Sequence, residues 1–365
     1  MKQFFIFILA IIITVSCSTF PAGYTITGKI NNLDTGKAVL KIETSPEQYK
    51  NDTTTIKAGA FEFSGRVESA NRILIEIIPE NSMDISNDKD MASTEIKGIL
   101  LPFVIENCPI LLEADVKDIT EEWGYRYFNN IKIEGGKNNR LAEEFDEISK
   151  NRGDNGEEAQ KEYEAKIKEL VLNNKDVEYS AMIFSFISGR MDNEEAIAIF
   201  DSFSQNVQNS LMADRVRAKI EGMKATKKGV KAPDFTLKSS DGTQFTLSSL
   251  KGKYVVVDFW ASWCAPCRAA VPELLELYAK YKEKGLEIVG VTNDSKEPAW
   301  LKAIEEDKSN WIHVIDEFPV KNRPARVATL YGISFLPSYF LINPDGIMIG
   351  KFEKADLIKY LDEIF

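Results

Sequence analysis

VVVDFWASWCAPC, residues 255–267, runs three β-branched residues into an acid, two aromatics and two cysteines two residues apart. The apolar start reads as a buried strand. After Cys267, the residues Val271, Leu274, Leu275, Tyr278 and Tyr281 recur at helical spacing. A strand therefore delivers Cys264 and Cys267 to the start of a helix. The first helical turn carries unpaired N–H groups and a partial positive charge, which favours a thiolate placed there. A thiol attacks a disulfide only as its thiolate. Cys264, at the helix edge, is expected to be the exposed sulfur and the attacker. Cys267, one turn in, is expected to be shielded and to resolve the mixed disulfide. Pro266 fits an early helical position, where no N–H partner is needed. Zinc binding and a purely structural disulfide are the competing readings. Zinc usually takes four Cys or His ligands. The chain has four cysteines, one histidine and no second C-x-x-C, so no metal is expected.

Outward from this stretch, further motifs appear in order. Ala232-Pro233-Asp234-Phe235 precedes it; Tyr331-Gly332-Ile333, then Leu336-Pro337, and finally Asn343-Pro344-Asp345-Gly346 follow it. Together with Asp258-Phe259-Trp260-Ala261 and Trp263-Cys264-Ala265-Pro266-Cys267, this resembles the thioredoxin superfamily. It is most similar to the extracytoplasmic TlpA/ResA branch over about residues 230–365. The resemblance implies a thioredoxin-like α/β domain and a redox-active Cys264–Cys267 pair with no other cofactor. It implies a cis-proline at Pro337 beside the disulfide, and a groove in which Trp263, Pro266, Leu336 and Pro337 meet substrate. Asp258 matches the family's buried acid, which helps move the proton of the second cysteine; a solvent-facing strand position is the alternative. Pro337 could instead only end a loop, and Trp263 could only pack. One departure is plain. The branch often reads Cys-Arg-x-Glu-x-Pro, whereas here Ala270 stands in place of the acid. Proton handling then rests on Asp258 or differs, and the branch's cytochrome-maturation role does not carry over directly.

The 365 residues suggest two or three domains, and a net charge of −11 argues against nucleic acid as a partner. Phe4–Val15 is an apolar run of signal-peptide length, too short for a comfortable span. Thr14-Val15-Ser16 leads to Cys17, which resembles a bacterial lipoprotein cleavage site, although Thr14 replaces the usual Leu. Residues 1–16 are thus expected to be removed and Cys17 lipidated. That would tether the protein to a membrane in the cell envelope, on the periplasmic side or at the outer membrane. An ordinary signal peptide and an uncleaved anchor are the alternatives.

Residues 17–135 read as a β-rich domain. Tyr24–Ile30, Ala38–Ile42, Phe61–Val67, Arg72–Ile78, Val104–Ile105 and Pro109–Ala114 are strand-like, with turns at Asn31-Asn32, Gly36, Asn51-Asp52 and Gly59. A small antiparallel sandwich is the expected packing. It resembles the domain of unknown function that precedes thioredoxin domains in Bacteroidetes lipoproteins. Cys108 there is expected to be buried. Residues 136–229 read as a helical connector, with Asp192 and Glu195 forming a capping box. Residues 230–365 complete the thioredoxin-like domain, with strands at Tyr254–Phe259, Leu286–Thr292, Ser338–Ile342 and Ile347–Phe352. Helices are expected at Pro298–Asp307 and Lys354–Ile364, and His313 is expected to pack beside a strand.

The leading expectation is a tethered thiol-disulfide oxidoreductase that takes protein disulfides as substrate and needs an electron-donor protein. A peroxiredoxin-type thiol peroxidase is a second reading. Its reactive cysteine sits in a Pro-x-x-x-Thr-x-x-Cys context, whereas Trp260-Ala261-Ser262-Trp263 precede Cys264 here. A surface-binding lipoprotein with an accessory redox domain is a third.

Overall fold

The structure is a computed structural model, and it describes residues 23–45, 48–80, 98–122, 124–152, 156–318 and 324–365. The expected signal segment 1–16 and Cys17 lie outside the described residues. The chain divides into two compact units. The first runs to Lys166 and takes in Val177–Ser180 and Ser210–Met212; the second holds Ile167–Asp176, Ala181–Asn209 and Ala213–Phe365.

Ten strands build the first unit: β1 (Tyr24–Asn31), β2 (Thr35–Ser45), β3 (Gln48–Lys57), β4 (Ala60–Gly65), β5 (Asn71–Pro79), β6 (Ile99–Ile105), β7 (Pro109–Asp115), β8 (Ile119–Glu122), β9 (Tyr125–Phe128) and β10 (Lys132–Glu134). They form one continuous sheet, in the order β10-β7-β1-β4-β3-β2-β5-β6-β9-β8. Most pairs are antiparallel, but β1–β7 and β6–β9 run parallel, so the sheet is mixed. Burial alternates along β1 and β7, the signature of a strand with one face inward. Ile26 on β1, Leu40 on β2, Ile75 on β5, Ile110 on β7 and Phe128 on β9 share one apolar cluster, so distant strands of the sheet close over a common core. Gly36 and Asn51-Asp52, expected as turns, lie inside the long β2–β3 pair. Cys108 is buried in this core.

Helices α1 (Lys137–Lys150), α2 (Glu157–Asn173), α3 (Tyr179–Ile187), α4 (Asn193–Asp201), α5 (Gln205–Gln208) and α6 (Asp214–Ala225) occupy the stretch expected as a connector. The two units share this stretch, and the division falls within α2 and α3. In the first unit the Asn139 amide on α1 both accepts from Val104 N and donates to Val104 O, each at 2.8 Å, completing backbone bonds on β6. At the start of α4 the Asp192 carboxylate accepts from Glu194 N and Glu195 N, as the capping box predicts. The Glu195 side chain does not reach back to complete the box; it pairs with Lys168.

The remaining strands are β11 (Thr236–Ser239), β12 (Gln244–Thr246), β13 (Tyr254–Trp260), β14 (Leu286–Thr292), β15 (Ile312–Ile315), β16 (Ser338–Ile342) and β17 (Met348–Phe352). The helices among them are α7 (Ala265–Tyr281), α8 (Glu297–Asp307), α9 (Arg326–Leu330) and α10 (Lys354–Ile364). The sheet order is β12-β11-β15-β14-β13-β16-β17, with β13 parallel to β14 and antiparallel to β16. Strand β13 is buried along nearly its whole length because both sheet faces are covered. Val255, Val257 and Phe259 point to one face, against Tyr331, Phe340 and α9. Val256 points to the other, against α7 and α10. Full burial of each such side chain is worth ~1.5–3 kcal/mol.

On the first of these faces α6 seats directly on the turn after α9. A Cβ at Gly222 would lie 2.4 Å from both Gly332 N and Thr329 O. Only glycine allows the two backbones to approach this closely. The helix that the sequence assigns to a connector is thus part of the second unit.

Candidate active site

Strand β13 ends at Trp260, and the chain turns through Ala261, Ser262 and Trp263 into α7, whose N-cap is Cys264. The buried Asp294 holds this turn. Its carboxylate accepts from Ser262 N at 2.8 Å, Ser262 Oγ at 2.6 Å and Thr292 Oγ1 at 2.6 Å. Sequence reading missed Asp294; its only signal is an acid just past the end of a buried strand.

Cys264 and Cys267 form a disulfide with S–S 2.03 Å. Cys267 N donates to Cys264 Sγ at 3.3 Å, so the sulfur caps the helix as the N-terminal dipole argument requires. Pro266 is exposed in the first helical turn. Arg268 ties α7 to α8 through Glu306 and Asp307. Pro272 lies inside the helix on its exposed side, where the carbonyl it leaves unpaired can meet water.

The expected exposure of Cys264 is corrected: it is 5 % exposed and Cys267 is 4 % exposed. In the bonded pair both sulfurs enter one apolar cluster with Trp260, Ala261, Trp300 and Ala303, and half-buried Leu336 packs against it. Trp263, expected to meet substrate in the groove or only to pack, stands 67 % exposed and is outside that cluster. Leu336–Pro337 is a cis peptide bond, as the resemblance implies, and both residues are half-buried. The structure thus joins Cys264, Cys267 and Leu336 in one cluster, with Trp263, Pro266 and Pro337 adjoining them in the chain.

Asp258 is buried, and the expected alternative of a solvent-facing position does not hold. It shares the α7 face of the sheet, between Val256 and Trp260, and pairs in register with Gly290 and Tyr339. Desolvation pushes its carboxyl up to about 7. Its Oδ1 is buried with no hydrogen-bond partner. Ala270, where the branch often carries an acid, is buried in the apolar cluster beneath α7.

Gly290 lies between Asp258 and His313 in register. A Cβ there would meet His313 Nδ1 and Trp260 Nε1 at 3.0 Å and Trp311 Nε1 at 3.3 Å. His313 sits within β15 rather than beside a strand, with Nε2 2.8 Å from Ser309 Oγ. Burial holds its imidazole down to about 4, so it is neutral near pH 7. Among the described residues no cluster of three or more His, Cys, Asp or Glu could hold a metal ion.

Comparison with known proteins finds relatives for both parts of the chain. The AhpC/TSA family profile matches residues 228–350, and a domain of unknown function, DUF4369, matches residues 24–142. Thiol-disulfide oxidoreductase ResA of Bacillus cereus (strain ZK / E33L) is 37 % identical over 142 residues, covering 37 % of this chain and 78 % of that protein. Its counterpart from Oceanobacillus iheyensis is 37 % identical over 175 residues, covering 44 % of this chain and 88 % of the relative. Among solved structures, the thioredoxin domain of a thiol-disulfide oxidoreductase from Bacteroides vulgatus is 38 % identical, with a TM-score of 0.35, covering 38 % of this chain and 96 % of that one. With a strand-to-helix C-x-x-C disulfide and this share of the ResA sequence in common, the chain belongs to the TlpA/ResA-like thiol-disulfide oxidoreductases and carries a domain of unknown function ahead of its thioredoxin-fold domain.

Proposed function

We propose that the protein reduces disulfides of other proteins in the cell envelope, tethered there by a lipid on Cys17. The observation that carries the reading is the Cys264–Cys267 disulfide at the N-terminus of α7, packed against Leu336. In the reduced protein, the Cys264 thiolate attacks one sulfur of a substrate disulfide. A Cys264–substrate bond forms, the substrate S–S bond breaks, and the departing sulfur leaves as a thiolate that takes up a proton. Asp258 then accepts the Cys267 proton, and the Cys267 thiolate attacks Cys264 Sγ. The internal disulfide re-forms and the second substrate thiol departs. Two electrons have moved from protein to substrate, and a dithiol partner protein returns them. An acid that titrates near neutrality suits this role, since it can hold the proton or release it. No cofactor beyond the cysteine pair takes part.

The envelope location rests on Met1–Cys17, where an apolar run ends in small residues and a cysteine. Among the described residues no helix is long and apolar enough to cross a membrane. The test is a trap. Cys267→Ser should retain substrates as mixed disulfides on Cys264, released by reductant and identified by mass spectrometry. A trap that accumulates no mixed disulfide while the wild type still turns over protein disulfides would overturn the assignment of attacker and resolver.

A further inference from the structure

Three residues before the cis-proline, the oxidoreductase unit gathers positive charge that the reaction above does not use. Lys219, on α6, donates from Nζ to the buried Ser188 Oγ at 3.1 Å. Gly189 lets this ammonium and Ser334 come together: a Cβ there would be 2.8 Å from both Lys219 Nζ and Ser334 Oγ. Lys351, on β17, places its Nζ 4.4 Å from the centre of the Phe335 ring. That ring is 43 % exposed. The next residue, Leu336, packs on the cluster that contains Cys264 and Cys267. Two lysines thus flank the Ser334-Phe335-Leu336 segment that runs to the disulfide.

Their environment is unbalanced. Both ammonium groups are held below the usual lysine range, chiefly by desolvation; Lys219 comes down to about 8, in part through the charge of Lys351. The charge of Glu353 acts on Lys351 in the opposite sense. Among the described residues neither lysine is in ion-pair distance of a carboxylate. Two like charges brought together and partly dried are costly, and an anion placed between them offsets that cost. Arg268, by contrast, is paired with Glu306 and Asp307.

We propose that Lys219 and Lys351 select polypeptide substrates with an acidic side chain two or three residues from the disulfide cysteine. This rests on the reading that the disulfide acts on protein substrates. The span fits. Ser334 and Leu336 are two residues apart in the chain, a separation that a peptide lying alongside covers with two or three residues of its own. The occupant is a carboxylate on a chain, because the exposed Phe335 ring between the lysines and Leu336 offers a surface for the intervening apolar atoms.

The test uses the full-length reduced protein and blocked peptides whose single cysteine carries a 2-thiopyridyl group. Attack of Cys264 on the peptide sulfur releases thiopyridone, which is read by absorbance. One peptide carries Glu three residues to either side of the cysteine; its pair carries Gln. The Glu peptide should react roughly fivefold faster, a ratio expected for two partly exposed ion pairs. The ratio should approach one in Lys219→Met/Lys351→Met and in wild type at about 1 M salt. Lys284→Met, in the turn that follows the C-terminal end of α7, should keep the wild-type ratio. Equal rates for the two peptides with wild type overturn the proposal, as does a preference that survives the double substitution. Failure of both peptides to react would instead count against the assignment of Cys264 as attacker.

Discussion

Replacing Asp258 with Asn keeps the shape of the side chain and removes its proton equilibrium. The folded protein holds this carboxyl proton up to about pH 7, whereas an unfolded chain releases it near 3.8. Across that interval the folded state binds the extra proton, so stability falls as pH rises. Each pH unit is worth ~1.4 kcal/mol, so the wild-type oxidoreductase unit should lose about 4 kcal/mol between about pH 4 and pH 7 through this one group. Asp258→Asn should lack that component. Near pH 4 the two proteins should be of similar stability, and at pH 8 the variant should be more stable by up to about 4 kcal/mol. Urea unfolding of the oxidised protein, followed by tryptophan fluorescence, reads this, because Trp260, Trp263, Trp300 and Trp311 are four of the five tryptophans. Function should move the opposite way. Release of substrate from Cys264 should slow about 100-fold and lose its rise with pH near 7. A variant with the wild-type pH slope of stability, or with unchanged release, would refute the assignment of a buried, titrating carboxyl to this position.

Two further substitutions probe the frame. Gly222→Ala puts a methyl 2.4 Å from Gly332 N and Thr329 O and should cost about 3 kcal/mol, seen as a lower urea midpoint of the oxidoreductase unit. Asp294→Ala strips two hydrogen bonds from the turn before Cys264 and a third from Thr292 at the end of β14. It should cost about 2–3 kcal/mol and slow attack on thiopyridyl peptides, measured by thiopyridone release.

The oxidoreductase domain was legible because its signals are local. Leu286–Thr292, Ser338–Ile342 and Lys354–Ile364 have the bounds their patterns predict. The C-x-x-C spacing and the run before it placed the disulfide at the end of β13 and the start of α7. Other features depend on partners that a linear pattern does not name. Strand β3 reads QYKNDTTTIK and buries little besides Ile56; its backbone pairing with β2 holds it, and no apolar alternation announces it. Helix α9, five residues long, has too few turns to show a period. An apolar stripe looks the same whatever it packs on, so Val216, Ile220 and Met223 did not say that α6 belongs with α9. The burial of Cys264 was missed for a related reason: exposure of a sulfur depends on Trp260, Trp300 and Leu336, which only the folded chain assembles around it.

The seat of α6 on Thr329–Gly332 also bears on how this protein can be dissected. A fragment starting at the sequence-drawn border, residue 230, would leave that seat bare and would discard Lys219. Excision that respects the packing must begin upstream of Ile167, where the unit that carries the cysteines starts to recruit its own helices. The compact unit that carries the cysteines is therefore longer than its motif, and its extra length sits ahead of the cysteines in sequence.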